Sequence, residues 1–138
     1  EWEYCARAGT TTAYSFGDEA RKEGDTANKA TLLDPYAWHT GNAAGNDPPV
    51  GALQPNAWGL YDMHGYLWEF TRDGWSDTHE SGPVDGAARP VGKDGRRVLK
   101  SGSWKDRYDQ LRSASRRPLA TDGKDDAVGF RCVKAVRP

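Results

Sequence analysis

The chain has 138 residues, enough for one domain with a buried core, and 19 basic against 20 acidic residues leave a formal charge of −1. So even a balance gives no global field to draw in nucleic acid, and no apolar run approaches the ~18 residues of a membrane span or matches a leader pattern. Only 36% of residues are hydrophobic, yet six Trp, six Tyr and three Phe offer an aromatic core, while 16 Gly and eight Pro favour an irregular, turn-rich architecture over a helix bundle.

Residues 1–8 read as the last turns of a helix, with Gly9 placed to cap its C-terminus. Residues 10–16 are β-prone and short. From 17 to 55 the chain is polar and rich in Gly, Asp, Asn and Pro, an excursion to be pinned by Tyr36, Trp38 and His39. Residues 66–71 read as a strand buried on both faces, and 73–95 as a second loop carrying Trp75 and Pro83. Residues 97–100 are a strand candidate leading into Ser101-Gly-Ser-Trp104, and 110–116 fit strand or helix. Residues 128–136 alternate, with Val128, Phe130, Cys132 and Val136 on one face. No repeat, low-complexity segment or linker divides the chain, so 1–138 is one domain.

The run from Asn56 to Phe70 crowds two tryptophans, two tyrosines and a phenylalanine around Asp62 and Glu69. Aromatics at this density exclude charge, so both carboxylates need partners. Two readings stay open. A bound Ca²⁺ would take both acids with the carbonyls of Gly65 and Leu67 around the turn at Gly65. Alternatively, Asp62 caps a turn and Glu69 pairs with a buried arginine such as Arg131. Arg112, Arg116 and Arg131 suit an anion site, but guanidinium groups more often tie loops to a sheet. His39, His64 and His79 lack ligand spacing, and His64 reads as a structural histidine. Trp104, Lys105, Asp106, Arg107, Tyr108 and Arg112 combine the residue types that dominate binding hot spots, on the alternative of an ordinary solvated loop. Cys5 and Cys132 lie near opposite ends. Paired, they would close nearly the whole chain, stabilise it by roughly 4–5 kcal/mol, and favour an extracellular or periplasmic location. Unpaired, they read as two buried thiols.

Several motifs occur in order: Glu1-Trp-Glu-Tyr4, Arg7-Ala-Gly9, Pro49-Val-Gly51, Pro55-Asn-Ala-Trp-Gly-Leu-Tyr-Asp-Met-His-Gly65 and Trp68-Glu69. Gly102-Ser-Trp104, Leu111-Arg-Ser-Ala114 with Arg116, and Gly129-Phe-Arg131 follow. Over its whole length the chain resembles the formylglycine-generating enzyme (sulfatase-modifying factor) family. The resemblance implies a C-type-lectin-like fold: α+β, irregular and loop-rich, with short antiparallel strands and few helices. It also implies that the family's N-terminal strands are missing from this chain.

In the family's catalytic members two cysteines shortly after the Gly-Ser-aromatic motif bind Cu(I), a soft ion matched to thiolates, and oxidise a substrate cysteine in a Cys-x-Pro-x-Arg segment. Counting from Gly102-Ser-Trp104, those positions hold Asp106 and Leu111 here, so no copper is expected. Asp62, Gly65, Leu67 and Glu69 match a calcium-binding segment of the family, and the neighbourhoods of Cys5 and Cys132 match those of a family disulfide, with Cys5 offset by one residue. The resemblance therefore implies a non-catalytic, calcium-stabilised module that binds a protein or small ligand through the 104–117 surface. Non-catalytic relatives with this fold, among them variable proteins of diversity-generating retroelements, bind through that surface. The alternative is a formylglycine-generating or sulfoxide-synthase-like oxidoreductase whose catalytic residues lie outside the chain.

Overall fold

Glu3 and Arg7 stand one helical turn apart, and their ion pair at 2.7 Å braces the short helix α1 (Trp2–Arg7). The computed structural model describes residues 1–45, 47–80 and 82–134. Helix α1 ends one residue earlier than the glycine pattern predicts: Ala8, not Gly9, takes the left-handed cap position (φ 48°) and donates its N–H to the Tyr4 carbonyl. An alanine there costs about 1–2 kcal/mol of backbone strain, which the burial of Ala8 helps to offset.

Four short strands form one sheet, β1 (Trp68–Gly74), β2 (Arg96–Lys100), β3 (Arg117–Ala120) and β4 (Val128–Gly129), in the order β3-β2-β1-β4. The β1–β2 and β2–β3 pairs are antiparallel. The β1–β4 pair is parallel, with Trp68 opposite Val128 and Glu69 opposite Gly129. Short strands, a single α-helix among the described residues and long connections make the irregular, loop-rich α+β architecture that the family resemblance implies.

The strand at 66–71 begins two residues later than expected, because Tyr66 has φ 71° and a tight turn joins Leu67 N–H to the Gly65 carbonyl. It also runs further, because a register shift between Phe70 and Gly74 absorbs extra residues and carries β1 into the following loop. Gly74 is required there: a Cβ at this position would lie 2.2 Å from the Pro90 carbonyl oxygen. Strand β2 extends the expected 97–100 by one residue. Residues 110–116 form neither strand nor helix as a unit. A 3₁₀ turn (Tyr108–Gln110) and further turns precede β3, which sequence patterning missed. Pro118, which has no N–H to donate, sits on that edge strand where it is tolerated.

Among the described residues, the strand expected over 128–136 is confined to Val128 and Gly129. Phe130 is 78% exposed, Cys132 is exposed, and Val136 lies outside the described residues, so the alternating face is not a core face. Residues 10–16 form only a bridge between Tyr14 and Gly17. Of the two readings left open for the cysteines, the structure has the unpaired one: both thiols are free, but they are not both buried, with Cys5 half-buried on α1 and Cys132 exposed once the chain leaves the sheet. Among the described residues no helix is long and apolar enough to cross a membrane.

The core is less aromatic than composition suggests. Tyr14, Ala20, Ala30, Leu33, Ala37 and Leu111 form its central cluster, with Phe16 and Tyr108 packed against it. Among the described residues Trp68 is the one fully buried tryptophan. The indole N–H groups of Trp2, Trp68 and Trp75 each reach a carboxylate, so the polar atom of each ring is satisfied, buried Trp68 included. The 17–55 excursion is pinned as its aromatics suggest. Tyr36 stacks on Phe16 at 4.6 Å between ring centroids, and buried His39 bonds Asp34 at 2.8 Å. With Leu33 fully buried in this small cluster, Leu33→Ala is expected to lower unfolding free energy by about 2–5 kcal/mol in urea titrations.

Candidate functional site

The turn at 62–66 has unusual backbone. Asp62 (φ 56°), Gly65 (φ 116°) and Tyr66 (φ 71°) all lie in the left-handed region, as does Ser101 (φ 94°) beside them. Gly65 tolerates no side chain: a Cβ would lie 2.5 Å from the Trp38 carbonyl oxygen and 2.6 Å from a Leu111 methyl. The Ser101 hydroxyl holds the turn by accepting from Gly65 N–H and donating to the Gly65 carbonyl, each at 3.0 Å.

Asp62, Gly65, Leu67 and Glu69, the four expected calcium ligands, line one open cleft of about 420 Å³ together with Phe130 and Arg131. Their oxygens are largely engaged by the protein. Glu69 Oε2 accepts from Trp2 Nε1 and from Arg131 Nε, both at 2.6 Å, and Glu69 Oε1 accepts from Arg131 Nη2 at 2.7 Å. Arg131 Nη2 also donates to the Tyr61 and Asp62 carbonyls at 3.0 and 3.3 Å. Asp62 Oδ2 accepts from Gly51 N–H at 2.7 Å. The Gly65 carbonyl already takes Leu67 N–H and the Ser101 hydroxyl. Burial alone would lower the Arg131 pKa, but its bonds to Glu69 and the charges of Glu69 and Asp62 raise it above the ordinary arginine value. So arranged, both Glu69 oxygens, one Asp62 oxygen and the Gly65 carbonyl are taken by protein donors. Among the described residues no group of three or more His, Cys, Asp or Glu is placed to hold a metal.

The 104–112 segment forms a second, more exposed feature. The backbone N–H of Trp104 bonds the Tyr66 carbonyl at 3.0 Å, which couples it to the turn. Trp104, Lys105, Arg107 and Arg112 are exposed and Tyr108 is half-buried. Cations cover both rings: Lys105 lies 5.0 Å from the Trp104 centroid, and Arg107 and Arg21 lie 5.4 and 5.2 Å from that of Tyr108. Both guanidinium groups also donate to the Tyr108 hydroxyl at 3.3 Å and lower its pKa. Arg21 belongs to this surface although 87 residues separate it from Tyr108, and no local pattern announces it. Lys105 is held by Asp126, another residue that sequence reasoning missed.

Asp106 departs from its expected place on the binding face. Its Oδ2 accepts from Ser103 N–H at 2.9 Å, the Ser103 hydroxyl at 2.5 Å and Trp68 Nε1 at 2.7 Å, so this carboxylate bonds inward as the acceptor that closes the 103–106 turn. Leu111 is fully buried in the core cluster. Arg112 bonds the Asp109 carbonyl at 2.9 Å, and Arg116 stacks over Trp75 at 4.5 Å.

His64 is structural. It is 2% exposed, and because the Leu111 carbonyl (2.9 Å from Nδ1) can only accept, Nδ1 carries the proton; Nε2 accepts from Ser15 N–H at 3.0 Å.

Comparison with known proteins gives one consistent family signal. A family profile described as "Sulfatase-modifying factor enzyme 1-like domain" matches residues 1–136. The chain is 32% identical over 145 residues to the formylglycine-generating enzyme of Mycobacterium tuberculosis, covering 96% of this chain and 48% of that protein. It is 32% identical over 141 residues to serine/threonine-protein kinase Pkn1 of Chlamydia trachomatis serovar L2, covering 99% of this chain and 20% of the kinase. Among solved structures, PvdO from Pseudomonas aeruginosa superposes with a TM-score of 0.79 at 31% identity, over 94% of this chain and 48% of PvdO. The chain thus spans about half the length of the formylglycine-generating enzyme and of PvdO.

Burial pushes the His64 pKa down from 6.5 to about 4. The unfolded chain therefore binds the extra proton between these values, and the stability conferred by neutral His64 is complete above about pH 6.5 and is lost as pH falls toward 4. The full loss is on the order of 3 kcal/mol. Urea midpoints compared at pH 7 and pH 4.5 are expected to fall in the wild type, with His64→Asn removing this part of the pH dependence.

Proposed function

The chain belongs to the formylglycine-generating enzyme (sulfatase-modifying factor) family, and on that premise we propose that it is a non-catalytic binding module of the family, acting through the face around Trp104 and Tyr108. The observation that carries this reading is the use made of Asp106 and Leu111. These occupy the positions where catalytic relatives hold Cu(I) between thiolates. Here one accepts three hydrogen bonds that close a turn and the other fills the core. An oxygen donor engaged by protein N–H and O–H groups and a hydrocarbon side chain do not fit a soft monovalent metal.

What surrounds these positions suits recognition. Trp104 and Tyr108 are aromatic groups covered by Lys105, Arg107 and Arg21, with exposed Arg112 in the same segment, the residue types of an interface hot spot. The match to a kinase of which the chain covers only 20% supports a domain that works within polypeptides of different activity. A protein or small ligand is the partner class this face fits. The second reading, an oxidoreductase whose catalytic residues lie outside this chain, is favoured by its identity to a formylglycine-generating enzyme of which it covers 48%.

Two measurements test the proposal. Incubated with Cu(I), oxygen and a Cys-x-Pro-x-Arg peptide, the chain is expected to leave the peptide mass unchanged, whereas conversion of thiol to aldehyde would contradict it. Peptides selected from a displayed random library against the wild type are expected to lose roughly 30-fold or more in affinity for Trp104→Ala or Tyr108→Ala. Selected binders indifferent to both substitutions would place recognition elsewhere.

A further inference from the structure

We infer that Arg131 stands in for a divalent cation at the 61–69 turn, so that this domain closes the turn with its own guanidinium and needs no calcium to hold it. The acceptors gathered there are those a hard cation would use, a buried carboxylate and backbone carbonyls. One side chain serves them: Arg131 spans both oxygens of Glu69 and the carbonyls of Tyr61 and Asp62. A planar fork with fixed donors matches a carboxylate in two-point fashion, which a spherical ion does not need but a guanidinium exploits.

The surrounding groups leave little for a second cation. Trp2 adds a third donor to Glu69, Gly51 N–H takes one oxygen of Asp62, and Ser101 with Leu67 N–H takes the Gly65 carbonyl. Lys100, opposite Glu69 in the β1–β2 register and itself buried, places another positive charge nearby, paired to Glu3 at 3.0 Å. A divalent ion entering this cleft would meet the Arg131 charge and would have to displace its bonds to Glu69. The arginine also does something a metal would not. It is part of the segment leaving β4, so the bond to Glu69 fastens that end of the chain onto β1.

The test uses the 138-residue chain itself. The melting temperature of the wild type is expected to be the same in EDTA and in millimolar Ca²⁺, whereas an ion bound at 100 times its Kd would raise it by roughly 10 °C. Arg131→Gln is expected to melt lower, and to regain part of the loss when Ca²⁺ is added, because the acceptors it frees then suit the ion. Adding Glu69→Gln to that variant is expected to abolish the rescue. Should Arg131→Gln not fold, Tb³⁺ titrated into the wild type decides the matter. Trp2 lies against Glu69 and would sensitise bound Tb³⁺, and no sensitised emission is expected. A calcium-dependent wild-type melting temperature, saturable Tb³⁺ emission quenched by Ca²⁺, or a folded Arg131→Gln variant indifferent to Ca²⁺ would each overturn the inference.

Discussion

A single carboxylate buried among aromatic rings constrains much of this fold. Glu69 sits where β1 begins, 7% exposed, and Arg131 and Trp2 bring three donors to its two oxygens. Those donors come from α1 and from the segment after β4, so satisfying one acid joins both ends of the described chain to the middle of the sheet. The β1–β4 pair matches just two residues on each strand, too few for its ladder to hold that segment alone. Arg131 is only half-buried, but removing it would leave the buried Glu69 carboxylate with the Trp2 N–H alone. The same guanidinium reaches the 61–62 carbonyls, and the turn that follows presents the Tyr66 carbonyl to Trp104 N–H. Hydrogen bonds thus run from the ion pair through the turn to the exposed 104–112 face.

Elsewhere the chain solves the same problem, too few aliphatics for its loop length, by burying polar side chains that bind backbone. Asn56 donates to the Cys5 and Ala6 carbonyls at the end of α1 and accepts from Trp58 and Leu60 N–H. Asp25 gathers Lys22 N–H, Thr31 N–H and the Thr31 hydroxyl, which holds its carboxyl down to about pKa 2. Such connectors satisfy backbone groups that loops would otherwise bury unpaired. They also make the loops intolerant: each substitution leaves several partners unsatisfied at once.

How much of this was legible in the sequence follows from the range over which each interaction acts. The Arg96–Lys100 strand and the Trp2–Arg7 helix are set by local pattern and were readable. Strand β3 was hidden because Pro118 argues against a strand unless its edge position is known. The strand after Val128 was over-read, since alternation records which residues share a face and not whether anything pairs with it. Glu69 was recognisable as an acid in need of a cation. Its partner lies 62 residues away, and spacing cannot decide between a metal and an arginine at that distance. Arg21 on Tyr108 was invisible for the same reason. The positions matching copper ligands were readable from motif counting, while the inward role of Asp106 required the Ser103 and Trp68 contacts.

Family membership fixes the scaffold and leaves the function to the site. In this chain the scaffold is held by carboxylate oxygens meeting resident donors, at Glu69 as at Asp106. The most direct test of that account is a double-mutant cycle on Glu69→Gln and Arg131→Gln, measured by urea unfolding in a chelating buffer. The account predicts a coupling between the two residues of about 1–3 kcal/mol, with the double variant less destabilised than the sum of the singles. Additive effects within experimental error would mean that the two side chains stabilise the fold independently, and would contradict it.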